Sequence, residues 1–232
     1  MKKFDSKQQV FDFIYVIAMQ DAVRQRSYQG ERKWLWDLSK DETKIIRAEL
    51  QAFIDNILKG KFNRVEGQEE YNAEGQKKYN IEFGRLARTI CNEINRLEDE
   101  RAVSEGKEKR DGDFTFGNAQ KLINMLCKYF YILVYDNFEL RTRFIYCHCP
   151  MDSILLKKVW EKRDEWNEKV PNKIITEKYF NKSWGNEDFE EENSNENILP
   201  LRYRCFQEAV RALVEKADDI ISSIEFDYKE WE

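Results

Sequence analysis

Two short stretches of this chain hold side chains whose types and spacing could do chemistry. The first is Gly117, Lys121, Asn124 and Lys128, spaced four, three and four apart, with Gln120 beside them. At about 100° per residue, positions so spaced fall within an arc of roughly 60° on a helix. Around them stand Leu122, Ile123, Met125, Leu126, Phe130 and Ile132, apolar on nearly all sides as at the centre of a bundle. A buried ammonium is costly unless it is paired. The stripe therefore faces water, pairs with acids from a neighbouring helix, or lines a cavity for an anionic ligand. In the last case Lys121 and Lys128 would hold phosphate, while Gln120 and Asn124 would orient a base or sugar edge. Gly117, near the helix start, would let a ligand approach free backbone N–H groups.

The second stretch is Cys147-His148-Cys149-Pro150-Met151-Asp152, and His148 is the only histidine in the chain. An imidazole titrates near neutral pH, so acid–base chemistry is one reading. Two thiols and an imidazole also suit zinc, but the cysteines are two apart and no second Cys/His cluster exists to complete four ligands. Neither a metal nor a cofactor is expected. A structural role is equally open: Pro150 fixes the backbone, Asp152 caps the next helix, and His148 hydrogen-bonds a neighbouring element. Short connections place consecutive elements side by side. His148 and Arg143 would then border a pocket at the stripe, with Asp152 holding the loop that closes it.

The elements around these stretches read as helices. The apolar spacing predicts a first helix over 6–28 stopped by Gly30, and a second that opens on a Ser39–Glu42 capping box and ends at Gly60. A third carries Phe83, Leu86, Ile90, Ile94 and Leu97, after an aperiodic polar stretch over 61–79 and before a charged loop over 102–113. The fourth, over 116–135, is the apolar one. Alternating aromatic and β-branched residues make 141–151 extended, and Asp152 or Ser153 starts a fifth helix. A last helix follows Pro200 through Ile221, with an acidic, aromatic tail over 225–232. The fold class expected is all-α: a multi-helix bundle around the central apolar helix, with a short extended segment at 141–151. A single domain covers 1–232, with an irregular acidic loop over 172–197.

Composition agrees. The 232 residues are 41% hydrophobic and 36% charged, with only 9 Gly and 3 Pro. That suits long solvated helices better than a sandwich or barrel. A net charge of −5 excludes a glove for extended double-stranded DNA. Five cysteines, an odd number, point to reduced thiols and a cytoplasmic protein. The apolar run from Val10 to Met19 is broken by Asp12 and too short to span a bilayer, so no membrane partner is expected.

The run Gly117-Asn118-Ala119-Gln120-Lys121, then Asn124 and Lys128-Tyr129, then His148-Cys149-Pro150-Met151-Asp152 resembles an uncharacterised group of bacterial and phage all-α proteins. There a Gly-x-Ala-Gln-Lys helix is followed by His-Cys-Pro-x-Asp, a Trp-containing loop similar to Ser183-Trp184, and a final helix. The resemblance spans roughly 114–215. It implies that the stripe and the His148 segment form one unit, and it suggests phage defence or counter-defence. Separately, Arg143-x4-His148 is similar to the signature of HEPN ribonucleases. That likeness implies metal-independent RNA cleavage by the Arg and His of two facing protomers, hence a homodimer. The sequence departs from that pattern at Phe144, where the family usually has a polar residue.

The function expected first is binding of a small anionic, phosphate-bearing ligand, a nucleotide, in a pocket between the central helix and the His148 segment. One alternative is the ribonuclease with Arg143 and His148 as catalytic residues. Another is a non-catalytic protein-interaction module using the acidic loop and the aromatic tail.

Overall fold

Scarce turn residues and long apolar periodicities leave little for a chain to do but form helices. The structure, a computed structural model, describes residues 7–23, 40–62, 72–106, 113–166, 185, 189, 198–217 and 219–230. Among these residues there are nine helices and no strand: α1 Lys7–Val23, α2 Lys44–Leu58, α3 Ala73–Glu105, α4 Phe116–Leu133, α5 Phe138–Thr142, α6 Ser153–Glu161, α7 Arg163–Trp166, α8 Leu201–Val214 and α9 Ser223–Glu230. The all-α bundle expected from the sequence is the observed class. Helix α4 is its axis, packing against α1, α3 and α9, while α8 packs on α6, α7 and α9. Buried side chains from all these elements except α5 belong to one core cluster. No described helix is long and apolar enough to cross a membrane.

Helix ends follow local chemistry. Gly60 stops α2 as expected: its φ is +66°, and Lys61 N donates to Asn56 O while Gly60 N donates to Ile57 O. That is the Schellman pairing, which requires the left-handed backbone that glycine adopts without strain. The expected capping box does not start α2. Glu42 lies in the preceding turn, Thr43 takes the N-cap position, and Ser39 lies outside the described residues, as do Gly30 and the expected last turns of α1. Asp152 caps α6 as expected, its carboxylate accepting from Ile154 N and Leu155 N at 3.0 and 2.9 Å.

Three expectations are corrected. Helix α3 begins about two turns before the apolar periodicity suggests. Asn72 accepts from Gly75 N at 2.7 Å to cap it, and Gly106 at φ +63° closes it beyond Glu105. Within the segment 141–151, only 147–151 are neither helix nor turn. Asn137 caps the short α5, and successive turns end with Cys147 N donating to Phe144 O. The last helix is two: α8 ends at Val214, and residues 225–230 of the expected aromatic tail lie in α9, where Phe226 and Asp227 are buried. The acidic loop over 172–197 lies, apart from Gly185 and Phe189, outside the described residues.

Close packing at the start of α3 gives a direct test. A Cβ on Gly75 would stand 2.6 Å from the Tyr146 ring and 2.8 Å from the Phe62 carbonyl oxygen. Alanine is the better helix former by about 1 kcal/mol, so a mid-helix Gly→Ala change should otherwise stabilise. Here crowding against a backbone atom and a buried ring wins. Gly75→Ala should lower unfolding free energy by about 1–2 kcal/mol in urea titrations. A gain in stability would show that Tyr146 and Phe62 yield freely.

Candidate functional site

A buried stretch of chain without helix or sheet must find hydrogen-bond partners for its peptide groups. Residues 147–152 find them in glutamine side chains. Gln120 of α4 donates to Met151 O at 2.9 Å and accepts from Met151 N at 3.0 Å. Gln207 of α8 donates to Cys149 O at 2.7 Å and accepts from Cys149 N at 3.2 Å. Each amide thus stands in for the neighbouring strand that the segment lacks. Asn124 adds bonds to Gln120 Oε1, Cys149 O and the Tyr203 hydroxyl at 3.0, 3.2 and 2.8 Å.

The polar stripe is therefore occupied by the chain itself. Lys128 Nζ lies 2.8 Å from Asp227 of α9, with both side chains buried. Lys121 Nζ lies 4.0 Å from the α6 cap Asp152. Gly117, buried near the start of α4, accepts from Gln120 through its carbonyl. Of the three readings open to the stripe, pairing with acids holds for both lysines. Between α4 and the His148 segment run the peptide and amide hydrogen bonds of Gln120, Asn124 and Gln207.

The structure does join the stripe to His148, through Tyr203. The Tyr203 hydroxyl accepts from Asn124 and lies 3.1 Å from His148 Nδ1. At the other ring nitrogen, Asn80 Oδ1 is 3.0 Å away, and Gln76 Nε2 is 3.1 Å away. Gln76 Nε2 also reaches Asn80 Oδ1 at 2.7 Å and Tyr146 O at 3.3 Å. The arrangement that leaves no hydroxyl hydrogen without an acceptor has Nδ1 accepting, and in it the Gln76 Nε2–His148 Nε2 approach is not a bond. Asn124 donates to Tyr203, Tyr203 donates to Nδ1, and Nε2–H donates to Asn80 Oδ1, which also accepts from Gln76. The imidazole is neutral and protonated on Nε2. Tyr79, Phe83 and Tyr203 enclose it with ring centroids at 5.0, 5.1 and 5.4 Å. Burial, with help from the Arg211 guanidinium, holds its pKa well below the ordinary 6.5.

Arg143 and His148 are not brought together as a pair. Arg143 follows α5, bonded to Glu139 and to the Leu58 carbonyl, and His148 is 2% exposed among other partners. An imidazole so enclosed is not presented to a second protomer. Among the described residues, no group of three His, Cys, Asp or Glu side chains is arranged to hold a metal ion.

The open space is on the far side of the histidine network. A pocket of about 410 Å³ lies between the first turns of α3 and the outer face of α8, and Gln76, Lys77, Asn80, Arg204, Glu208 and Arg211 line it. The chain matches no family model, no curated protein and no solved structure significantly. The pocket's lining includes three cationic side chains and one carboxylate, together with the amide pair that neighbours His148. The volume lies within the range of small-molecule sites, about 300–1,000 Å³.

None of these six lining residues stood out in the sequence, although a signal existed. Arg204, Glu208 and Arg211 are spaced four and three apart, the same one-face spacing as the stripe on α4. Gln76 and Asn80, four apart, form a second such pair on α3.

Proposed function

We propose that this protein binds a small phosphate-bearing ligand in the pocket between α3 and α8. One observation supports the reading above the others: Lys77, Arg204 and Arg211 line one pocket, with the carboxylate of Glu208 beside them. Guanidinium groups suit phosphate because their planar donors match its oxygens in pairs. The ligand class is the one the polar stripe suggested. The residues holding it are different: Lys121 and Lys128 lie at Asp152 and Asp227, and the pocket is lined by Lys77, Arg204 and Arg211.

The reading is tested by calorimetric titration with inorganic phosphate, ribose 5-phosphate and the four nucleoside 5′-monophosphates. Arg204→Ala and Arg211→Ala should each weaken binding by about tenfold, the loss of roughly one charge-assisted contact. Lys121→Ala should leave affinity within about twofold. Equal affinity in wild type and both arginine variants would remove the pocket from the reading.

A further inference from the structure

The inner wall of the α3–α8 pocket does more than close it, because its two amides are locked in one orientation. Gln76 is 5% exposed and lines the pocket. Its Nε2 is turned to Tyr146 O and Asn80 Oδ1. Gln76 is set this way round by the Tyr146 carbonyl, against which a rotated amide would turn its oxygen. Asn80 Oδ1 is likewise committed, accepting from both Gln76 and His148 Nε2. What remains is one free end of each amide: Gln76 Oε1, an acceptor, and Asn80 Nδ2, a donor. Neither atom has a hydrogen-bond partner among the described residues, and neither is among the buried atoms sealed from solvent. Gln76 is buried and Asn80 half-buried, and a ligand group at the free ends would take the place of water. Here the free ends belong to two residues one helical turn apart on the same wall, an acceptor beside a donor.

We propose that Gln76 and Asn80 read the polar edge of a nucleobase, so that the ligand is a nucleotide held by its base at α3 and by its phosphate at the α8 arginines. An acceptor beside a donor complements any base edge that offers an N–H next to a ring nitrogen or carbonyl. His148 serves as the positioning residue: its Nε2–H holds Asn80 Oδ1 inward and so keeps Nδ2 toward the cavity. This inference rests on the phosphate reading above and adds the base to it.

The experiment is calorimetric titration of the full chain with ribose 5-phosphate and with the 5′-monophosphates of adenosine, guanosine, cytidine and uridine. At least one nucleotide should bind about tenfold or more tightly than ribose 5-phosphate, as two added hydrogen bonds predict. In Asn80→Asp, which keeps the acceptor for His148 but removes the donor, that ratio should fall to within about twofold of one. The ratio is the readout, since the added charge lowers the affinity of every phosphate alike. Equal binding of ribose 5-phosphate and all four nucleotides overturns the base-reading inference while the phosphate pocket stands. A wild-type preference that survives Asn80→Asp overturns the assignment to this amide pair. No binding of any probe overturns both. The wild-type comparison decides the matter even if the variant does not fold.

Discussion

Replacing Lys128 by methionine should destabilise the protein by about 3–5 kcal/mol, the cost of stranding a buried charge. The pair is among the least solvated in the structure: the Lys128 side chain is 9% exposed and the Asp227 side chain 0%, with Nζ and Oδ2 2.8 Å apart. Methionine keeps the aliphatic stem, so packing along α4 changes little. Removing the ammonium leaves a carboxylate buried without its cation, and α9 loses its charged tie to α4. Lys128→Met/Asp227→Leu should recover most of the loss, because apolar residues of similar size replace such a pair at little cost. Urea titrations of both variants decide it. A single-variant loss below about 1 kcal/mol would place the pair with solvated surface bridges. It would also return Lys128 to the set of cations available to a ligand.

That pair marks where sequence reasoning stops. The four-three-four spacing on 117–128 identified a real one-sided polar row on the most apolar helix. It could not show what the row faced, because the acid on Lys128 lies 99 residues further on, in a segment read as tail. Features set within one turn were legible: the start of α4, the Gly60 stop, the Asp152 cap, and the helix after Pro200. The start of α3 was not. Its inward positions include Gly75, Gln76 and Asn80, and periodicity treats polar residues as outward-facing. They point inward because what they pack against, Tyr146 and His148, is itself polar. The residues that hid the helix are thus the residues that make the site. Similarly, Ala217 and Ile220 continue the apolar spacing of α8, yet that helix ends at Val214. Helix α9 packs on both α8 and α4, so the chain must turn between them, and that turn is tertiary information. His148 was legible as a focus, but its role was not. The ring is central because Asn80 of α3 and Tyr203 of α8 both bond to it.

The same enclosure makes His148 a source of pH-dependent stability that can be read in isolation, since no other histidine is present. Unfolded, an imidazole takes up its proton near pH 6.5. Folded, this one does so only well below that value, because burial and Arg211 disfavour the cation. Between the two pH values the unfolded chain binds one proton more than the folded chain, so unfolding free energy rises with pH. The slope is about 1.4 kcal/mol per pH unit. The contribution is complete above about pH 6.5 and is lost as the pH falls. The lowered carboxylates of Asp12 and Glu230 act only below their ordinary values of 3.8 and 4.5. Wild-type protein should therefore lose about 1 kcal/mol between pH 6.5 and 5.5 in urea titrations, because the unfolded imidazole is only half protonated at pH 6.5, and His148→Gln should be nearly flat over that interval. The variant starts less stable, so the difference in slope is the measurement. Parallel slopes would mean that the folded imidazole protonates as easily as the free one. The network explains why it does not. An imidazolium must donate from both nitrogens, which would turn the Tyr203 hydroxyl into an acceptor from Nδ1 as well as from Asn124 and leave its own hydrogen without the partner it now has. The network thus rests on a neutral ring whose Nδ1 accepts from Tyr203, while its Nε2–H would still hold Asn80 in the cation.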